Sequence, residues 1–140
     1  MLTKTRPKLS IQISIPYPSR VFNKHIYDKL NDYSTFTEVH YGGGSSGKRH
    51  GVRQKVVYNA CQDWKHPRKV LFLLNVGSTV YDSIFEDVKQ CLDAWDLLDK
   101  CKVNNSAYRI ELPNGAQFIF KGLDNPEKIK SIKGVSDVVM

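Results

Sequence analysis

An α/β fold, with a sheet, flanking helices and one antiparallel hairpin, is predicted by three stretches of the sequence. Residues 70–74, VLFLL, are an unbroken apolar run, the signature of a parallel strand buried on both faces. Residues 41–49, YGGGSSGKR, are a glycine-rich segment between a β-like run and a helical one. Residues 108–112 and 117–120 read as two strands around Pro113-Asn114-Gly115, and Asn-Gly between two such runs is a strong hairpin signal. At 140 residues the chain has the length of one domain.

Taken in order, residues 1–20 read as a basic arm or strand, with Lys4, Arg6 and Lys8 near the alternating run LSIQISI. Its cations suit either DNA phosphates or a solvated terminus. The expected domain spans residues 21–140. Phe22, Ile26 and Leu30 recur at helical spacing, and residues 37–41, TEVHY, suit a strand. Gly42 and Gly47, followed by Lys48, then satisfy G-x-x-x-x-G-K, with Gly43, Gly44, Ser45 and Ser46 supplying the intervening backbone. In such a loop, glycines let backbone N–H groups close around phosphate oxygens while lysine brings a compact charge to the β/γ-phosphates. The next helix, with Val52, Val56, Val57 and Ala60 on one face, points its positive end at the anion. Composition alone suggests a flexible turn; the lysine offset and the strand–loop–helix order favour a phosphate loop of the P-loop NTPase type.

One position departs from that pattern. After Lys48 a Ser or Thr hydroxyl ordinarily ligates Mg²⁺, and this chain has Arg49. A guanidinium offers no oxygen and repels the ion. Arg49 either grips a phosphate directly or lies exposed in the first helical turn.

Residues 63–69, DWKHPRK, form a turn in which Trp64 sits among cations; a packed indole with solvated basic neighbours is expected rather than a base-stacking platform. Thr79 and Asp82 resemble a capping box opening a helix whose Ile84, Val88, Leu92, Trp95 and Leu98 form a core stripe. Asp82, Glu86 and Asp87 suit its positive end. Residues 122–134 are a basic connection carrying Lys128, Lys130 and Lys133, either a DNA path or a solvated loop. Residues 135–140, VSDVVM, are expected to form a buried strand. Asp137 falls too early in it to serve as the acid that a nucleotide hydrolase carries at a strand end.

The balance of charge is basic, 21 Lys+Arg against 14 Asp+Glu for a net +7, which suits a polyanionic partner. Cys61, Cys91 and Cys101 are an odd, widely spaced set that indicates neither zinc nor a disulfide framework and suits a reducing interior. The four histidines, His25, His40, His50 and His66, show no ligand spacing, so no metal site is assigned to them. No apolar run spans a bilayer and no signal-peptide core opens the chain, so a soluble intracellular protein is expected.

Four blocks together resemble a known family, the N-terminal ATPase domain of bacteriophage terminase large subunits: residues 41–48, YGGGSSGK; 76–85, VGSTVYDSIF; 110–124, IELPNGAQFIFKGLD; and 126–137, PEKIKSIKGVSD. The resemblance runs from about Val21 onward. It implies a P-loop fold, ATP and Mg²⁺, packaging of double-stranded viral DNA, assembly as a homo-oligomeric ring on a portal, a small terminase subunit as partner, and the cytoplasm of a bacterial host. In that family the terminal strand leads into paired glutamates, and a C-terminal nuclease follows. Here the sheet is expected to be incomplete at the C-terminus, because the chain stops before those acids. Relatives also commonly carry Arg at the position of Gly44 and an Arg-Lys pair where Leu74-Asn75 stands. The expectation is a nucleotide-binding part of a DNA-packaging ATPase, with Lys48 as its catalytic residue and residues Gly42 through Arg49 around the nucleotide, unable to hydrolyse ATP efficiently by itself. The alternative is a non-enzymatic, degenerate P-loop module that binds DNA or a phage-assembly partner.

Overall fold

The computed structural model describes residues 32, 34, 35, 37, 39, 48–62, 64–74, 78–124 and 126–140. Helix α1 (Lys48–Ala60) leads to strand β1 (Lys69–Leu74), helix α2 (Ser78–Ala94) and a single 3₁₀ turn (Leu98–Lys100). Strands β2 (Lys102–Asn104), β3 (Arg109–Glu111) and β4 (Gln117–Gly122) follow, then helix α3 (Pro126–Lys130) and strand β5 (Asp137–Val139). These strands form one five-stranded mixed sheet in the order β2-β3-β4-β1-β5. β1 is parallel to both β4 and β5, and the β2–β3 and β3–β4 pairs are antiparallel. The α/β class, the buried parallel strand and the hairpin are those the sequence predicts.

Alternation along each strand divides the sheet into two faces. Val70, Phe72 and Leu74 of β1 share one face with Phe118 and Phe120 of β4 and Ile110 of β3. This face meets Val57 and Ala60 of α1 and Phe85, Val88 and Leu92 of α2 in a single apolar core. Phe72 lies at its centre, stacked on Phe120 at 4.6 Å between ring centroids and edge-on to Phe118 at 6.0 Å. Phe85 of α2 closes the cluster edge-on to Phe120 at 5.3 Å. The other face buries Leu71 and Ile119, which are register partners. The chain moves from β1 to β4 in one direction across the sheet and back past β1 to β5 in the other. Right-handed crossovers therefore put α2 and α3 on opposite faces.

The hairpin turn is built as its residues require. Gly115 has φ of +90°, and a Cβ there would stand 3.2 Å from Pro67 Cγ, so both conformation and space call for glycine. Asn114 Oδ1 accepts from the Ala116 N–H at 3.0 Å, closing the turn.

Several elements differ from the sequence expectation. α2 begins at Ser78 and ends at Ala94, and Asp96 turns left-handed with φ of 56°. Trp95 and Leu98 thus pack beyond the helix rather than on its stripe, Trp95 being buried and Leu98 half-buried in the same core. A third antiparallel strand, β2, adds to the hairpin, and the basic connection contains the short helix α3. Strand β5 is not buried: paired to β1 alone among the described residues, it leaves Val138 55% exposed. Described residues Thr37 and Val39 of the expected strand over 37–41 have no regular structure; its remaining residues, the helix expected over 21–30 and the arm over 1–20 lie outside the described residues.

Because Phe72 touches aromatic rings on neighbouring β4, Phe72→Ala is expected to cost about 3–5 kcal/mol. Urea denaturation should show the midpoint falling with the slope unchanged. Leu73→Ala, at a half-buried position on the other face, should cost clearly less.

Candidate functional site

Helix α1 is the element that positions the predicted site, and few of its side chains are free. Val57 and Ala60 face the core, but Arg53, Gln54, Lys55 and Asn59 are buried too, so the helix is enclosed well beyond its apolar face. Each buried cation has a partner: the Arg53 guanidinium is ion-paired with Asp87 of α2, and Lys55 Nζ donates to the Asp32 carbonyl at 2.8 Å. Asp87 is therefore not a simple stabiliser of its own helix end. It joins α2 to α1.

The last carbonyls of a helix lack intrahelical donors. In α1 they are met by side chains: Gln62 Nε2 donates to Tyr58 O at 3.0 Å, Trp64 Nε1 to Asn59 O at 2.7 Å, and Asn114 Nδ2 to Ala60 O at 2.8 Å. Asn114 belongs to the β3–β4 turn, so the C-terminal end of α1 is fixed beside the amino end of β4. A helix of 13 residues is about 20 Å long, close to the length of a six-residue strand. Running back along the sheet, α1 carries its N-terminus towards the carboxyl ends of β1 and β4. Ligands of open α/β sheets bind at those ends.

Of the residues assigned to the phosphate loop, Lys48 and Arg49 are the first two of α1. Gly42, Gly43, Gly44, Ser45, Ser46 and Gly47 lie outside the described residues. The first turn of α1 contains no acidic residue, so none of its own side chains opposes an anion at its positive end. Among the described residues no group of His, Cys, Asp and Glu is gathered as a metal site, and His50 and His66 are exposed.

The basic turn before β1 is more structured than a solvated loop. The Arg68 guanidinium covers the Trp64 ring at 3.7 Å and stands 3.8 Å from Asp137 of β5. Trp64 is thus a packed residue, its ring face taken by a cation. Asp137, for which no catalytic role was expected, shares its carboxylate between Arg68 and the Ser136 hydroxyl. On α2, Asp82 accepts from Tyr108 Oη at 3.0 Å and Glu86 pairs with Lys89.

The three cysteines are free. Burial, reinforced by Cys101, pushes the Cys61 thiol up to about 12. Burial also pushes Cys91 up to about 11, with Asp87 adding and Arg53 opposing, and Cys101 to about 11, with Asp99 adding.

With this architecture established, comparison with known proteins places the chain. It is an α/β protein with a mixed sheet, and it belongs to the phage terminase large subunit family, whose model matches residues 34–140. It is similar to the PBSX phage terminase large subunit of Bacillus subtilis (strain 168), 27% identical over 114 residues that cover 81% of this chain and 26% of the relative. It is also similar to the terminase large subunit of Bacillus phage SPP1, 38% identical over 68 residues covering 48% of this chain and 16% of that protein. The chain therefore spans about a quarter or less of the length of these relatives. Among the described residues no helix is long and apolar enough to cross a membrane.

Three measurements check this arrangement, the last being stability against pH. A double-mutant cycle on Arg53→Met and Asp87→Ala should give a coupling energy of about 1–3 kcal/mol in urea unfolding, since the pair joins buried Arg53 to a half-buried carboxylate. The thiols should resist maleimide near neutral pH in the native protein and react at all three sites in urea, because the nucleophile is the thiolate. A raised folded pKa stabilises below the unfolded value, so their contribution should be complete below about pH 9 and be lost as pH rises towards about 12.

Proposed function

We propose that this chain is the nucleotide-binding part of a viral DNA-packaging ATPase, and that it does not hydrolyse ATP efficiently by itself. The observation that carries the reading is that α1 starts at Lys48, the residue completing G-x-x-x-x-G-K. Family membership and the placement of the helix N-terminus towards the carboxyl ends of the parallel strands support it.

The residues fit a polyphosphate. The glycines of 42–47 permit close approach of backbone N–H groups, the first turn of α1 is free of carboxylates, and Lys48 supplies charge for the β/γ-phosphates. ATP supplies the transferable phosphoryl group when bound, and Lys48 is the residue assigned to neutralise charge on it. The fit to Mg²⁺ is poor at one position, where Arg49 replaces the hydroxyl ligand. That substitution underlies the expectation of weak hydrolysis. Double-stranded viral DNA, a portal, a small terminase subunit and further copies of the chain are the partners this reading carries with it.

Calorimetric titration of ATP into the intact chain tests the proposal. ATP should bind, Lys48→Ala should abolish binding, and Arg49→Ser should add a dependence on Mg²⁺. Steady Mg²⁺-dependent phosphate release that disappears in Lys48→Ala would overturn the expectation of weak hydrolysis.

A second reading, a non-enzymatic module of the same fold that binds DNA or an assembly partner, is favoured by Arg49 and the net charge of +7. Absence of ATP binding in every variant, with salt-sensitive DNA binding retained, is the result that selects it.

A further inference from the structure

Among the described residues, the face of the sheet opposite the α1–α2 core carries a cluster of cations with no ion-pair partner. Arg109 of β3 is the register partner of Ile119, and Lys121 lies two residues further along β4, so both project on the same face. Such diagonal neighbours stand about 7–8 Å apart at Cα. Lys128 of α3, on the crossover assigned to that face, completes the group. Among the described residues, none of the three has an ion-pair partner, whereas neighbouring Lys130 is paired with Glu127 at 3.9 Å.

Beside them the strands form an open depression of about 230 Å³, lined in part by Lys102, Asn104, Arg109, Glu111 and Gln117. Glu111 sits opposite Lys102 in the register and offsets its charge, leaving Arg109 in excess. No large apolar side chain on β2, β3 or β4 is exposed; the exposed Val138 of this face lies on β5, at the opposite edge of the described sheet from β2. Burial first, then Arg109 and Lys128, lowers the pKa of Lys121. A bound anion would relieve that repulsion.

We propose that Arg109, Lys121 and Lys128 form a contact surface for the phosphodiester backbone of duplex DNA. The choice of a duplex rests on the DNA-packaging reading; the surface itself is independent of the phosphate loop.

The test is fluorescence anisotropy of a short labelled duplex with the intact chain, measured against salt concentration. Replacing Arg109, Lys121 and Lys128 together by Gln should lower the slope of log K against log salt by about 2.7, or about 0.9 per phosphate contact. Unrelated duplex sequences should be affected alike. Replacing the exposed Lys65 and Lys100 by Gln should leave the slope unchanged. Equal losses per charge in the two variants, no loss in the triple variant, or equally tight binding of poly-glutamate would overturn the proposal. A second readout needs no substitution: in the wild-type chain, duplex should raise the titration of the Lys121 ammonium towards its ordinary value by NMR, and no movement would overturn the proposal. ATP titration of the triple variant separates the two sites. Loss of its DNA contacts with ATP binding intact supports this surface, while a wild-type chain that binds duplex through these cations but no ATP counts against the nucleotide reading alone.

Discussion

Strand β1 is hydrogen-bonded to a parallel neighbour along each edge and covered on each face, and the placement of the other elements follows from this double enclosure. Its sequence leaves little choice. Val70, Phe72 and Leu74 project on one face and Leu71 on the other, and all four are almost completely buried. A strand with apolar side chains on both sides requires a layer above and a layer below, which is why helical connections must pass on both faces. The Phe72–Phe120 stack joins β1 to β4, and Phe85 joins that pair to α2, so one aromatic cluster holds two strands and a helix in register.

Helix α1 depends on the sheet in a different way. A helix carrying Arg53, Gln54, Lys55 and Asn59 in buried positions gains less from apolar burial than α2 does. Directed polar contacts secure it instead: the Arg53–Asp87 pair across to α2, Lys55 to the Asp32 carbonyl, and three side-chain donors on its final carbonyls. Such contacts specify one orientation, because a rotation of the helix would leave buried charges and amides unpaired. Orientation matters most at the other end, where Lys48 begins the helix. An anion gains from backbone N–H groups only when they converge on it, so in the proposed reading fixing the distal end would preorganise the proximal one.

The legible features of the sequence were those with local causes. The apolar run VLFLL, the Pro113-Asn114-Gly115 turn and the helical repeat of Ile84, Val88 and Leu92 each depend on neighbours a few residues away, and each is found where expected. The features that could not be read depend on distant partners. Nothing near Arg53 in sequence reveals Asp87, which lies 34 residues on. β2 has three residues, too few to show a period, and becomes a strand through pairing with β3. The stripe through Trp95 and Leu98 suggested a longer helix because a core contact and a helical contact leave the same apolar mark; Asp96 turns the chain while both side chains still reach the core. Strand β5 is less buried than its sequence predicts, because apolar residues mark strand character but not strand position. At the edge of the described sheet, Val138 is largely exposed. For the site, the helix expected after the motif is found as α1, beginning at Lys48, while the loop residues 42–47 lie outside the described residues.

The two proposed binding regions lie on different elements of one sheet-centred fold. The proposed nucleotide loop precedes α1 in sequence, and α1 packs on the core side of the sheet. Arg109 and Lys121 project from the opposite face of β3 and β4. Strand β4 is shared, since Phe118 and Phe120 face the core beneath α1 and α2 while Ile119 and Lys121 face the other way. Side chains on the two faces of a strand move together when the strand shifts, because their directions are fixed by one backbone. A close-packed aromatic layer around Phe72 resists partial displacement and favours movement of β1 and β4 as a unit. In the proposed reading, a rigid sheet with a nucleotide site before α1 on one side and the Arg109–Lys121–Lys128 cations on the other keeps two polyanionic ligands apart while holding them in a fixed mutual geometry.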